Sequence, residues 1–175
     1  MKKLHLSLTR KGDIDKVIKY LEDYEKDITE RLSVFLEELT KIGVNAVNAQ
    51  LQTISPFYKG EDIEVTDSIQ QTDNGWQATI TMSGQQAIFI EFGSGVLLNT
   101  SVGNSLHPWG SENGFTIGSY NSDQTNAKSP DGWWYYDKWG QSQHTLGTPT
   151  FAPLYNSSLE MLAAIREVAE RVFNG

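Results

Sequence analysis

The chain of 175 residues contains no cysteine, which excludes disulfides and thiolate metal sites and is compatible with a reducing compartment. It also lacks any apolar run near the ~20 residues that a membrane-spanning helix needs. The amino terminus, Met1-Lys2-Lys3, is basic but is not followed by the apolar stretch of a signal peptide. We therefore expect synthesis in the cytoplasm, no membrane partner, and a single domain over residues 1–175 whose core needs no staples.

Sequence motifs for chemistry are also missing. The three histidines, His5, His107 and His144, lie far apart and outside any metal-ligand spacing. The chain has neither a Gly-x-Ser-x-Gly nucleophile elbow nor a Gly-x-x-x-x-Gly-Lys phosphate loop. The sequence thus predicts no catalytic residue, no metal site and no cofactor, and we expect that the protein is not an enzyme.

Positive charge is scarce. The formal net charge is −8, which disfavours a freestanding nucleic-acid binder that works by neutralising phosphates. Residues 63–93 contain no Lys or Arg, and they contain the acidic residues Glu64, Asp67, Asp73 and Glu91. An acidic surface of this kind suits a passage that DNA slides through better than a surface that grips DNA.

A long helix is predicted near the amino terminus. Apolar residues recur at alternating steps of three and four from Ile14 to Ala49. Gly12-Asp13 is a plausible start, and Ser55-Pro56 ends the run because proline disfavours helical geometry in the residue before it. We expect a bend or break at the charge cluster Asp23–Lys26. The apolar stripe either packs on the protein's own sheet, which is the favoured interpretation, or forms a coiled-coil contact.

Strand patterns follow the helix. Two runs of alternating apolar residues are joined by Asp73-Asn74-Gly75, which is a strong signal for a tight hairpin turn. A third strand is predicted from Ala87 to Phe92, and an amphipathic helix beginning at Pro153 is expected to pack on the sheet. The predicted fold class is α+β: a long N-terminal helical segment and a C-terminal helix packed on a small antiparallel sheet, with residues 94–150 as a long irregular insertion.

The insertion contains a dense aromatic segment, Trp133-Trp134-Tyr135-Tyr136, followed by Trp139. We predict a small strand here, in which successive side chains point to opposite faces. A protein–protein interface is favoured, because aromatic residues are enriched at interface centres. Local packing of the insertion and a glycan-binding surface, in which flat rings stack on sugars, remain as alternatives.

Glu91 stands alone within the apolar run from Ile88 to Gly95. An isolated buried carboxylate is costly, so Glu91 is expected to be exposed or paired. Its partner would come from elsewhere in the chain or from another copy of the protein. Pairing with Asp67 would allow glycosidase chemistry, which uses two carboxylates, and this is the least favoured interpretation.

Several short motifs occur in a characteristic order. Ser55-Pro56 ends the long helix, Asp67-Ser68-Ile69 lies in the first strand, Glu91-Phe92-Gly93-Ser94-Gly95 ends the third predicted strand, and Pro149 to Pro153 leads into the last helix. Together they resemble the tail-component family of long-tailed bacteriophages over Asp13 to Phe173. Gly132 to Tyr136 and Gly147-Thr148-Pro149 are similar to pieces found in members from phages of Gram-positive bacteria. The loop Phe57 to Ile63 and the inserted Thr150 depart from the family pattern.

The resemblance implies a structural virion protein of the phage neck or tail, acting in tail completion or head–tail joining. It implies a homo-oligomeric ring, sixfold by analogy with neighbouring tail rings, that contacts neck and tail-tube proteins and that DNA crosses only as passing cargo. The expected locations are the host cytoplasm during assembly and the virion afterwards. The residues we expect at subunit contacts are Glu91, Phe92, Gly93, Gly95, Trp133, Trp134, Tyr136, Trp139 and Phe151.

Overall fold

The computed structural model describes residues 11–54, 63–73, 75–84, 86–95, 107, 109, 131–136 and 139–174. In chain order the elements are α1 (Lys11–Ile54), β1 (Glu64–Thr72), β2 (Gly75–Ser83), α2 (Ala87–Phe92), β3 (Ser94–Gly95), β4 (Trp133–Tyr136), β5 (Ser142–Thr145), β6 (Gly147–Thr148) and α3 (Pro153–Asn174). The α+β fold class is confirmed. Ser55-Pro56, Asn74 and most of the predicted insertion lie outside the described residues. None of the described helices is both long enough and apolar enough to cross a membrane.

Helix α1 is continuous over 44 residues, so the break predicted at Asp23–Lys26 is wrong, while a bend there stays a prediction. The charges there support the helix instead of breaking it, because Lys26 pairs with Glu30 at 3.8 Å and Asp27 pairs with Arg31 at 3.0 Å, both at the i,i+4 spacing that stabilises helices. At 1.5 Å per residue the helix is about 66 Å long. Its last described residue is Ile54, and the end predicted at Ser55-Pro56 lies outside the described residues.

Strands β1 and β2 form the predicted antiparallel hairpin. Val65 lies opposite Met82, and Ile69 lies opposite Ala78. Along β2 every second residue is half-buried, as the predicted alternation requires, and the hairpin packs against α1.

Residues Ala87–Phe92 form the short helix α2, so the third strand predicted there is wrong. The amide of Gly93 donates to the carbonyl of Phe89 at 2.7 Å, closing a helical turn, and Gly93 takes a positive φ of 78° at the helix end. Periodicity cannot assign so short an apolar run to a helix or a strand. The one-sided burial of a helix is nevertheless present: Ile90 and Glu91 are buried, while Ile88 is 40 % exposed.

The core lies beside the carboxyl-terminal half of α1. Val47, Leu51 and Ile54 of α1 pack with Ile90 of α2, and side chains from the hairpin and from the start of α3 surround them. About one turn earlier, at Gly43, helix α1 lies in close contact with both β2 and α3. A methyl group at Gly43 would lie 2.5 Å from Ile80 Cδ1 of β2 and 2.6 Å from Met161 Sδ of α3.

Helix α3 runs antiparallel to α1 and packs chiefly along it, whereas the sequence predicted packing on the sheet. Near its start, Asn156 Nδ2 donates to Gln50 Oε1 at 3.0 Å. At its other end, Arg31 Nη1 donates to the carbonyls of Val172 and Phe173 at 3.0 and 3.3 Å. These are carbonyls that a helix end leaves without internal partners, so Arg31 caps the carboxyl terminus of α3.

A surface ion pair also joins the two helices. Arg171 Nη2 lies 2.5 Å from Glu38 Oε2, and Glu167 is a second acidic neighbour. The hydrogen bond to Glu38 and the charge of that carboxylate raise the pKa of Arg171 above its ordinary value. The pair is exposed, so it fixes the orientation of the helices more than it stabilises the fold.

Candidate functional site

Glu91 is the hub of a buried hydrogen-bond network. It is 3 % exposed, and its carboxylate accepts hydrogen bonds from Leu154 N (2.8 Å), Tyr155 N (3.0 Å) and His107 Nε2 (2.8 Å). The two amides belong to the first turn of α3, which has no internal acceptor for them. A carboxylate at this end also meets the positive pole of the helix dipole. Glu91 of α2 therefore caps the amino terminus of α3.

The start of α3 explains why the cap must come from outside the helix. The residue before the helix is Ala152, which has no side-chain oxygen to act as an N-cap. Pro153, the first helical residue, has no amide hydrogen, so the first free amides are those of Leu154 and Tyr155. Because Pro153 is fully buried, solvent has little access to this end. Glu91 supplies the acceptor that the local sequence lacks.

The second partner of Glu91 is His107. Its Nδ1 accepts a hydrogen bond from the backbone amide of Trp109 at 3.1 Å, so that nitrogen carries no proton. The proton is therefore on Nε2, which donates to Glu91. With three donors directed at it, Glu91 is assigned as ionised and His107 as neutral. The pair is a charge-assisted hydrogen bond between side chains that are 4 % and 1 % exposed.

Aromatic rings enclose this pair. The His107 ring centroid lies 4.5 Å from that of Phe92 and 5.4 Å from that of Tyr155, and Trp109 packs edge-on against Tyr155 at 5.1 Å. We call these five residues, Glu91, Phe92, His107, Trp109 and Tyr155, the Glu91 cluster. Apolar surroundings strengthen hydrogen bonds to charge and make an unpaired charge costly. The cluster therefore holds α2, the segment at 107–109 and α3 together.

The link between α2 and α3 is reciprocal. The amides of Phe151 and Ala152 donate to the carbonyl of Ile90 at 3.0 and 3.4 Å. The hydroxyl of Thr150 donates to the carbonyl of Phe92 at 3.0 Å. The segment before α3 thus satisfies carbonyls at the end of α2, while Glu91 of α2 satisfies amides at the start of α3.

The chemistry available to Glu91 is limited by these contacts. Both carboxylate oxygens already accept hydrogen bonds within the chain, while Asp67, the second carboxylate considered for glycosidase chemistry, is exposed on β1. Among the described residues, no group of three His, Asp or Glu side chains could hold a metal ion. The arrangement fits a structural joint better than a reactive centre.

A second feature is a set of exposed aromatic side chains, two of them on one face of β4 and the third between β4 and β5 in the chain. The predicted strand is present, and Trp134 lies opposite His144, with ring centroids 4.9 Å apart. Trp134, Tyr136 and Trp139 are 70 %, 78 % and 69 % exposed. We call these three residues the aromatic face. The side chains of Trp133 and Tyr135 lie outside the described part of the structure.

The structure brings the glycine-ended segment and the aromatic hairpin next to each other. Gly95 of β3 pairs with Gly147 of β6. Strand β6 follows β5 after a single residue, and the amide of Gly147 donates to Thr145 Oγ1 at 2.9 Å. The β3–β6 ladder, which contains Gly95, is therefore joined through β6 and β5 to the β4–β5 ladder, which carries the aromatic face.

Most of the predicted contact residues fall into two groups. Glu91, Phe92 and Phe151 pack within the chain itself, with Gly93 buried beside them. The aromatic face is exposed in the described structure. Of the other two predicted residues, Gly95 pairs with Gly147, and the side chain of Trp133 lies outside the described part of the structure. Contact of any of these residues with a neighbouring subunit stays a prediction.

The sequence interpretation missed three members of the Glu91 cluster, His107, Trp109 and Tyr155. No local spacing links His107 to Glu91, because the two are 16 residues apart. One signal was available: a helix that starts with Ala152-Pro153 has no residue of its own to cap it, so a buried carboxylate elsewhere was a candidate for that position.

Comparison with known proteins gave no match to a protein-family model, to a curated protein or to a solved structure.

Proposed function

We propose that this protein is a structural component of the neck or tail of a long-tailed bacteriophage, and that it forms a homo-oligomeric ring at the head–tail junction during tail completion or head–tail joining. The ring is sixfold and contacts neck and tail-tube proteins. The order of the sequence motifs supports the class of protein. The observation that best supports oligomerisation is the exposure of the aromatic face.

The aromatic face supports assembly for two physical reasons. Trp134 and Tyr136 share one face of β4, Trp139 follows them in the chain, and large aromatic side chains that are about 70 % exposed or more are typical of interaction sites. The hairpin beneath them has two strands of only four residues, and a two-stranded hairpin is marginally stable alone. A neighbouring subunit would cover the rings and support the hairpin. Rings of identical subunits use such heterologous contacts, in which one surface meets a different one.

The remaining site fits a role in positioning. The Glu91 cluster fixes α2 and the start of α3, and the segment between them leads back through β6 and β5 to the aromatic face. Three acidic residues of the β1–β2 hairpin, Glu64, Asp67 and Asp73, are exposed, while Glu91 is not. Those three carboxylates would line a passage that repels DNA and lets it pass.

The test compares the full-length protein with the double variant Trp134→Ser/Trp139→Ser. Leu162→Ser is the matched control, because Leu162 is also highly exposed, at 63 %, but lies on α3. Sedimentation velocity and negative-stain electron microscopy would follow assembly, alone and with neck and tail-tube proteins. We expect rings for the wild type and the control and none for the double variant, whose melting temperature should not change. A wild type that stays monomeric at high concentration with those proteins present would refute the ring.

The aromatic face also favours a second candidate, a glycan-binding module, because exposed tryptophans can stack on sugar rings. A saccharide screen monitored by tryptophan fluorescence separates the two functions. A saturable change that Trp134→Ser removes would support glycan binding. A screen without any change would eliminate it. The glycoside hydrolase considered from the sequence receives no support from the contacts of Glu91, and a lack of activity on every glycan tested would end that interpretation.

A further inference from the structure

The amino-terminal part of α1 extends past the rest of the described structure. Helix α3 ends against Arg31, every residue from 18 to 27 is exposed, and no described residue before Leu39 is buried. A helix packed on a neighbour buries one face at intervals of three and four residues, and this segment does not. We call residues 11–27 the α1 overhang. Its length is about 26 Å at 1.5 Å per residue.

The overhang is nonetheless amphipathic. Its stripe has apolar residues at steps of three, four and three, at Ile14, Val17, Leu21 and Tyr24, and the spacing continues to Ile28 just beyond the overhang. Ile14, Leu21 and Tyr24 are 41 %, 57 % and 56 % exposed, and Ile18 beside the stripe is 50 % exposed. This is the spacing of a helix–helix seam. Most of the stability of a helix in a protein comes from packing of its amphipathic face.

The overhang also continues an existing interface. Farther along α1, Phe35 packs on Phe173 of α3 with ring centroids 5.8 Å apart. The apolar stripe of α1 is therefore covered by α3 on one side of Arg31, whereas on the other side Ile14, Leu21 and Tyr24 are exposed in the described structure. An incoming helix is the natural occupant, because it extends the packing that α3 begins.

The charge pattern indicates which helix and which direction. Residues 11–19 carry three bases and two acids, so their net charge is 3 − 2 = +1. Residues 20–27 carry four acids and one base, so their net charge is 1 − 4 = −3. A parallel pair of overhangs would place the two acidic halves side by side. An antiparallel pair places each acidic half against a weakly positive half, which avoids that repulsion.

We infer that the α1 overhangs of two copies of this chain pair antiparallel about a twofold axis. In the register that pairs residues 11–27 of the two copies over their full length, Leu21 lies opposite Val17 of the second copy, and Tyr24 lies opposite Ile14. The contact is isologous and closes after two copies. It uses no residue of the aromatic face, so it stands independently of the proposed ring.

The first test is association of the full-length protein measured by sedimentation equilibrium. Leu21→Gln removes an apolar side chain twice from a symmetric contact, and the dissociation constant should rise on the order of tenfold to a hundredfold. Lys19→Gln is the control, since Lys19 lies on the opposite side of the helix, and it should leave association unchanged. Far-UV circular dichroism should show that both variants stay folded. A monomeric wild type at all concentrations, or equal association of wild type and Leu21→Gln, would overturn the inference.

The second test fixes the direction by disulfide trapping, which is clean because the natural chain has no cysteine. Ile14→Cys protein mixed with Tyr24→Cys protein should yield a cross-linked heterodimer on oxidation. Tyr24→Cys alone should not cross-link, because its two copies would be about 15 Å apart along the axis, and a disulfide needs Cα atoms within about 7 Å. Efficient cross-linking of Tyr24→Cys with itself would indicate a parallel pair and overturn the inference. Trp134→Ser/Trp139→Ser should keep the heterodimer cross-link even where it abolishes rings, so failure of one proposal is distinguishable from failure of the other.

Discussion

The most direct test of the Glu91 cluster is the substitution Glu91→Gln. Glutamine has nearly the same shape as glutamate but has one acceptor oxygen in place of two and an amide group that donates. Glu91 uses both oxygens to accept from Leu154 N, Tyr155 N and His107 Nε2. Whichever way the glutamine amide turns, at least one buried donor faces another donor.

The magnitude follows from these contacts. Each buried donor left without an acceptor costs about 1–3 kcal/mol. Loss of the negative charge at the start of α3 costs a further 0.3–1 kcal/mol, or about 2 kcal/mol where the geometry is partly buried. For this buried site the two terms together come to roughly 3–5 kcal/mol. Since a domain is stable by only about 5–15 kcal/mol, we expect Glu91→Gln to remove a large part of the free energy of unfolding.

Urea unfolding followed by tryptophan fluorescence and far-UV circular dichroism measures the effect. The control is Glu160→Gln, which removes an exposed carboxylate of α3 and should change the free energy of unfolding by less than about 0.5 kcal/mol. The melting temperature of Glu91→Gln should fall by roughly 6–20 °C, at about 2–4 °C per kcal/mol for a domain of this size. If Glu91→Gln does not fold, Glu91→Asp, which keeps the charge but shortens the side chain, should give an intermediate loss. A Glu91→Gln protein within about 1 kcal/mol of the wild type would refute the capping role.

Three further predictions concern the fold and can be measured by the same unfolding experiment. His107→Phe keeps an aromatic ring between Phe92 and Tyr155 but removes the donor to Glu91, so it should lower the free energy of unfolding by about 1–3 kcal/mol. Its effect should not add to that of Glu91→Gln, because the two residues share one network. Arg31→Met should cost about 1 kcal/mol by leaving the last carbonyls of α3 uncapped, with faster amide exchange at residues 170–174, whereas Lys26→Met should change little. Gly43→Leu should destabilise the protein by about 1–3 kcal/mol through overpacking against Ile80 and Met161, and Met161→Ala should recover part of that loss; an unchanged stability would mean that the three elements do not meet as closely as described.

The elements that the sequence predicts correctly are those with a long repeating pattern or a specific turn. Helix α1, the β1–β2 hairpin and α3 each carry several periods of apolar residues, so no other assignment buries the same side chains. The segment Ala87–Phe92 is too short for its periodicity to decide, and the contacts of Ile90 and Glu91 with α3 select the helix. Tertiary contacts override local pattern most easily in such short runs.

The partners of Glu91 show a different limit of prediction from the sequence. The sequence predicts that the carboxylate is exposed or paired, because the cost of burying a bare charge is independent of the fold. It does not identify His107 or the amides of Leu154 and Tyr155, because those positions come together only when α2 meets the start of α3. The prediction of a break in α1 was wrong because of local contacts and not tertiary ones. Local ion pairs such as Asp27–Arg31 stabilise the helix where the charge cluster was expected to disrupt it.

The described residues separate the parts that build the subunit from the parts that can join subunits. Substitutions in the Glu91 cluster should change stability first and assembly as a consequence, because both oxygens of Glu91 are committed within the chain. Substitutions in the aromatic face or at Leu21 should change assembly alone, since those side chains are more than half exposed. A Trp134 variant that lowered the melting temperature by several degrees would mean that the indole ring of Trp134 stabilises its own subunit by packing within it, as in the local-packing alternative. Stability measured in parallel with assembly therefore decides between a joint inside the subunit and a contact between subunits.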